Sequence, residues 1–112
     1  MANKLYKPLL IDSVKVSADI VQNRFIGFDG NYCSEGAKAL GISEVATEKG
    51  QFAPVGVLGI FLVEAGETLN VGDEVSSNTE GKAVKATENS KINGHTLDSG
   101  TEGSLVRIVR GI

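Results

Sequence analysis

The chain has 112 residues, a mass of 11.7 kDa and a formal net charge of −3, with 41% apolar and 22% charged residues. This balance is typical of one globular domain and excludes a disordered chain. An acidic chain is not expected to bind nucleic acid, and no stretch approaches the roughly 20 apolar residues that a membrane span requires. Residues 9–11 form too short an apolar run for a signal peptide, and the lone Cys33 fits a reducing compartment, so we expect synthesis in a cytoplasm.

Fourteen glycines with only two prolines are typical of many short strands joined by turns. The first predicted strand spans residues 9–16 and the second spans residues 24–28. The Asp-Gly pair at 29–30 favours a two-residue hairpin turn, which predicts that residues 31–32 return beside Phe28.

Residues 34–40 are the one helical candidate, with Ser34 as a possible N-cap and Gly41 just past the end. Gly36 weakens that segment, so we expect at most one or two helical turns. Residues 41–47 alternate apolar and polar side chains, which predicts another strand.

Residues 51–63 form a long apolar run that is interrupted by Pro54, Gly56 and Gly59. These residues disfavour a long helix and predict two strands or one bent strand. Further along, residues 69–71 and 82–86 each read as short strands between glycine turns.

The Asn-Gly pair at 93–94 predicts a second tight turn, which would pair Ile92 with residues 95–97. The final strand, residues 105–112, should lie within the sheet. The sequence thus predicts an all-β fold, a small β-sandwich or β-barrel of short strands. Residues 9–112 would form a single domain, and residues 1–8 a flexible N-terminal arm.

Catalysis requires a nucleophile, a base and usually a group that orients the base. The chain has one histidine, His95, and one cysteine, Cys33, and nothing in the sequence brings them together. These two residues are too few for a zinc site, and residues 36–43 have the glycine spacing of a phosphate loop without its lysine. We therefore expect no catalytic site, no metal, no cofactor and no small-molecule substrate.

Charge is distributed unevenly along the chain. Residues 41–80 carry seven acidic side chains against one basic side chain, Lys49, whereas the flanking segments are near neutral. Such a distribution can steer like subunits toward one another, although a solvated set of turns is the simpler explanation.

Four stretches, residues 23–32, 36–42, 63–67 and 71–75, resemble the small capsid cement, or head decoration, proteins of tailed phages and prophages. The likeness covers residues 9–112. It implies a structural virion protein that forms a homotrimer on the outer face of an expanded head and binds the major capsid protein. In this family an N-terminal arm often contacts the shell, which implies a capsid-contact role for Lys4, Leu5, Tyr6, Lys7 and Pro8.

Residues 65–75 also resemble turn-rich segments of small β domains that carry swinging cofactors or bind small ligands. A cofactor carrier would present its attachment lysine after a methionine, and the sole methionine here is Met1. A small ligand-binding or interaction β-barrel module remains the alternative.

Overall fold

The computed structural model describes residues 6–111, and within that range the chain forms eight strands and no helix. The strands are β1 (Lys7–Lys15), β2 (Phe25–Ile26), β3 (Gly41–Ser43), β4 (Phe52–Glu64), β5 (Glu74–Ser77), β6 (Ala83–Lys85), β7 (Gly94–Thr96) and β8 (Leu105–Arg110). The described part of the chain contains no helix with the length and apolar character needed to cross a membrane.

All eight strands belong to one antiparallel sheet, in the order β2-β3-β4-β8-β7-β5-β6 with β1 added on β4. The sheet curls until its two ends meet. The N–H of Phe25 in β2 donates to the carbonyl of Gly81 just before β6, and Ala65 after β4 bridges Ala83 in β6. The result is a nearly closed barrel, which confirms the predicted all-β fold.

Strand β4 is the longest strand, and it pairs with β1, β3 and β8. Of the two predicted alternatives, two strands or one bent strand, residues 51–63 form one bent strand. β1 runs along one of its edges, while β3 and then β8 occupy the other edge in succession. Gly59 has φ of 125°, and a side chain at Gly56 would collide with the ring of Phe61. The two glycines therefore permit the bend and the close packing inside it.

Two clusters of buried apolar side chains lie along β4, and each takes different residues of it. The larger cluster fills the barrel and consists of Phe25, Cys33, Ala39, Ile42, Phe61, Val63, Ala65, Leu69, Val75, Ala83, Val106 and Ile108. The smaller one consists of Val16, Ile20, Ile26, Ala53 and Val55. The first half of β4 thus serves the smaller core and the second half serves the barrel.

The predicted final strand is confirmed, because β8 lies inside the sheet between β4 and β7. Its Val106 and Ile108 are completely buried, and Ile112, which completed the predicted strand, lies outside the described residues. At the other end of the chain, Lys7 and Pro8 belong to β1, so the strand begins two residues before the prediction and overlaps the expected arm of residues 1–8.

The helical candidate at residues 34–40 does not form a helix, which stays within the expected limit of one or two helical turns. The segment contains a single turn, in which the N–H of Ala37 donates to the carbonyl of Ser34 over 3.0 Å, with Gly36 at a φ of 72°. That positive φ at the third position is the signature of a type II turn and is incompatible with a helix. The residues that follow are held extended by contacts with Asn93.

The tight turn predicted at 93–94 is also wrong, because Gly94 begins strand β7. Asn93 is buried, and its side-chain amide accepts the N–H of Ala39 and donates to the carbonyl of Ala37. The asparagine therefore satisfies buried main-chain groups of a distant loop, and this tertiary demand overrides its local preference for turns.

The chain does reverse at the Asp-Gly pair, but through a longer turn than the predicted one. The N–H of Gly30 donates to the carbonyl of Gly27, and Gly30 then adopts a φ of 83°. Tyr32 consequently pairs with Ile26 rather than returning beside Phe28, which is left exposed.

Candidate interaction surface

Strand β1 is the most exposed regular element of the described chain. Every one of its residues except Val14 is exposed. Three adjacent large apolar side chains project into solvent, with exposed fractions of 84% for Leu9, 48% for Leu10 and 43% for Ile11. Since only one edge of β1 pairs with β4, the other edge is open within residues 6–111.

Two opposed β-bulges shape this part of the ribbon. Leu9 is the extra residue on β1, and Val57 is the extra residue on β4, so Leu10 stands directly opposite Leu58. A bulge removes a residue from the ladder and pushes its side chain outward, which accounts for the exposure of Leu9. We define the β1 patch as the exposed apolar side chains of this ribbon: Leu9, Leu10, Ile11, Phe52 and Leu58.

A long edge strand with apolar side chains is a template for pairing with another chain. β1 carries some protection against unspecific pairing. Pro8 has no N–H to offer, Lys7 and Lys15 place a charge near each end, and the carboxylate of Asp12 accepts the N–H of Ser13 at 2.9 Å. This protection leaves residues 9–11 as the segment of β1 that a partner can approach.

Tyr6 lies inward, immediately before β1. Its ring meets the ring of Phe61 edge-on, with 5.9 Å between centroids, and Tyr6 and Glu44 line the same small pocket. Burial and the neighbouring Glu44 raise the pKa of Tyr6 to about 12, and burial also raises the pKa of Glu44. Tyr6 therefore fastens the start of β1 to the barrel instead of projecting from it.

The five residues with an implied capsid-contact role thus fall into three groups. Lys4 and Leu5 lie outside the described residues. Tyr6 packs against the barrel core, and Lys7 and Pro8 are exposed at the start of β1.

A groove of about 430 Å³ adjoins the β1 patch and shares Leu58 with it. We call it the Arg110 groove, and the lining residues that matter here are Phe28, Lys38, Leu40, Leu58, Ile92 and Arg110. Its floor and rim combine large apolar side chains with two cations.

Arg110 is held by main-chain carbonyls rather than by an acid. Its Nε donates to Val57 at 2.8 Å, its Nη1 to Asn93 at 2.7 Å, and its Nη2 to Ala39 and Leu40 at 3.2 Å each. The bulge at Val57 frees that carbonyl from the ladder, and Arg110 takes it up. Burial lowers the pKa of Arg110, yet a guanidinium remains charged at any physiological pH.

The other two arginines are paired with acids. Arg107 forms a two-point ion pair with Asp98, with Nη2 to Oδ1 at 2.9 Å, and this pair lowers the pKa of Asp98. Burial disfavours the charge on Glu64, but Arg24, 3.0 Å away, outweighs it and lowers the pKa of Glu64. Arg110 differs from both arginines because, within residues 6–111, all of its hydrogen-bond partners are carbonyls and none is an acid.

Cys33 and His95 have separate partners. The buried Cys33 thiol donates to the carbonyls of Ser34 and Ala37, and burial raises its pKa. His95 lies in β7, with its Nε2 3.9 Å from the carboxylate of Glu74. Among residues 6–111, no group of three or more His, Cys, Asp or Glu side chains is placed to hold a metal ion.

Comparison with known proteins connects this fold to phage heads. A family model described as phage cement protein matches residues 8–111. No curated protein sequence matches the chain. Among solved structures, the N base of the head fiber gp8.5 of bacteriophage phi29 superposes with a TM-score of 0.75, covering 91% of this chain and 93% of that one at 21% identity. At that identity the likeness establishes a shared fold.

Proposed function

This chain belongs to the phage cement protein family, and from that membership we propose that its β1 patch is the surface that binds the capsid. The family gives the chain a structural role in decorating a phage head, as a virion-associated protein. The finer proposal is that it binds the outer face of the head, contacts the major capsid protein there and holds neighbouring capsid subunits together without catalysing a reaction.

The observation that carries this proposal is the exposure of a long apolar edge strand. Burial of apolar surface contributes roughly 25 cal/mol per Å², so covering two or three large side chains supplies several kcal/mol of binding free energy. The open edge of β1 adds main-chain hydrogen bonds if a capsid segment pairs with it. The head fiber base from phi29, which shares the fold and by its name belongs to a phage head, supports the same placement.

The N-terminal residues extend this surface in the proposal. Lys7 and Pro8 begin β1, and Tyr6 packs against the barrel core directly before them. Residues 1–5 would then act as the arm that reaches the shell beside the β1 patch, with Lys4 and Leu5 among its contacts.

We further propose a homotrimer, synthesised in the bacterial cytoplasm before it joins the head. Three copies joined together present three β1 patches at once, so the binding of one patch raises the effective concentration of the other two. Light scattering after size exclusion should give a mass near three chains, and a monomer at high concentration would contradict this part of the proposal.

The capsid-binding experiment compares two double variants. L10S/I11S removes apolar surface from the β1 patch, and the control V71S/L105S removes comparable exposed side chains, 66% and 49% exposed, from other parts of the surface. Each protein is sedimented with expanded capsids of the phage or prophage that encodes the chain. We expect L10S/I11S to bind at least about tenfold more weakly, since losing about 1.4 kcal/mol of binding free energy has that effect.

The control should bind as the wild type does. Equal binding of L10S/I11S and wild type would remove the β1 patch from the mechanism.

A further inference from the structure

We infer that the Arg110 groove receives a segment of the capsid protein that carries a carboxylate beside a large apolar side chain. This inference rests on the proposed function, because it identifies the chemistry that the capsid presents next to the β1 patch. The groove is positively charged, has unused N–H donors, is surrounded by apolar side chains and adjoins the β1 patch.

The groove is positive in a chain that is acidic as a whole. Lys38 and Arg110 both line it, and its lining contains no Asp or Glu. Within residues 6–111 neither cation has an ion-pair partner, because Lys38 donates to the carbonyl of Ile92 and Arg110 donates to four carbonyls. Carbonyls satisfy N–H donors but leave the net charge uncompensated, and a carboxylate would compensate it.

Donors remain available for that carboxylate. A guanidinium has five N–H groups, of which Arg110 uses four, and an ammonium has three, of which Lys38 uses one. The four carbonyl bonds hold Arg110 in place, so binding would not have to immobilise a flexible side chain. Lys38 stands exposed at the rim and can swing toward an incoming acid.

Apolar side chains surround the two cations. Phe28 is 70% exposed although it is aromatic, and Ile92 and Leu58 are also exposed at the groove. Contact between these apolar side chains and water is unfavourable, so a ligand that covers them gains binding free energy. Excluding water there also strengthens the attraction between a carboxylate and the two cations. A ligand with acidic groups alone would contact the two cations but leave the apolar side chains uncovered.

The groove is continuous with the β1 patch through Leu58, which stands opposite Leu10. Neighbouring strands of a sheet lie about 4.8 Å apart, so a segment that leaves the open edge near Leu10 needs only a few residues to cross over β1 and β4 and reach the groove. One capsid segment can therefore engage both surfaces.

The pKa of Lys38 is lowered, first by desolvation and then by Arg110, as expected where a cation lacks an acid.

The test is the salt dependence of capsid binding for Lys38→Gln, with Lys49→Gln as the control at an exposed lysine outside the groove. At low salt we expect Lys38→Gln to bind expanded capsids about tenfold more weakly than wild type, and added NaCl should then weaken it less. Lys38→Arg, which keeps the charge, should bind like wild type. Lys49→Gln should match wild type in both affinity and salt dependence.

Urea unfolding of each variant checks that the fold is unchanged. If Lys38→Gln binds like wild type while L10S/I11S does not, the groove inference falls and the proposed function stands. If neither variant changes binding, both fall. A change in the mass of Lys38→Gln by light scattering would instead make the groove a contact between copies of this chain and would overturn the inference.

Discussion

Strands β1 and β8 both pair with β4, yet β8 is largely buried and β1 is exposed. β8 is paired on both edges, and its Val106 and Ile108 are completely buried in the barrel core. β1 is paired on one edge, and every one of its residues except Val14 is exposed. Both strands are rich in large aliphatic residues. An apolar strand that is covered on both edges builds a core, whereas one covered on a single edge offers its side chains to another molecule.

The comparison is tested most strongly by truncating one side chain in each strand. Ile108→Ala leaves a cavity in the barrel and should lower the free energy of unfolding by about 3 kcal/mol. Leu10→Ala removes a side chain that already contacts water and should cost less than about 0.5 kcal/mol. Urea unfolding at one protein concentration measures both. Similar losses would mean that β1 is covered in the free protein.

The second prediction concerns the link between the two regions. Arg110 in β8 holds the bulged carbonyl of Val57 in β4, so Arg110→Met leaves several buried carbonyls without a donor. We expect a loss of about 2 kcal/mol in the free energy of unfolding. Arg107→Met, on the same strand, removes a surface ion pair with Asp98 and should cost much less. Equal losses would show that the carbonyl contacts of Arg110 do not hold the ribbon.

The smallest predicted effect lies where β1 begins. Burial raises the pKa of Glu44, so the folded protein binds its proton more tightly than the unfolded chain does. Ionising Glu44 as the pH rises through that pKa therefore costs stability, and the cost is absent below the ordinary value of 4.5. Glu44→Gln should slightly raise the urea midpoint at pH 7 and leave it unchanged near pH 3.5. A lower midpoint at pH 7 would mean that the ionised carboxylate stabilises the Tyr6 contact.

The features of the fold that the sequence predicted correctly are encoded locally. Pro54, Gly56 and Gly59 lie inside the apolar run that becomes the bent strand β4, and the aliphatic residues of β8 read as a strand by themselves. The turn wrongly predicted at residues 93–94 and the non-helical path of residues 34–40 share one cause. Each depends on hydrogen bonds between segments more than 50 residues apart, which no local pattern encodes.

The interaction surface was less predictable than the fold. A strand was predicted at residues 9–16, but its exposure depends on which edge of β4 it joins and on what covers the other edge. The role of Arg110 leaves no signal in the sequence, because its carbonyl partners Ala39, Leu40, Val57 and Asn93 are brought together only by folding. The resemblance pointed to the N-terminal residues, and of these the structure turns Tyr6 inward.

The ladder between β1 and β4 has a mechanical consequence. Its eight register pairs run side by side, with hydrogen bonds perpendicular to the strands. A partner bonded along the open edge that slides parallel to β1 loads all of these pairs together in shear, whereas a perpendicular pull at one end would peel them apart one at a time. β4 continues from this ladder into the barrel, where Phe61 and Val63 belong to the larger core. A force applied to β1 is therefore transmitted through β4 to that core.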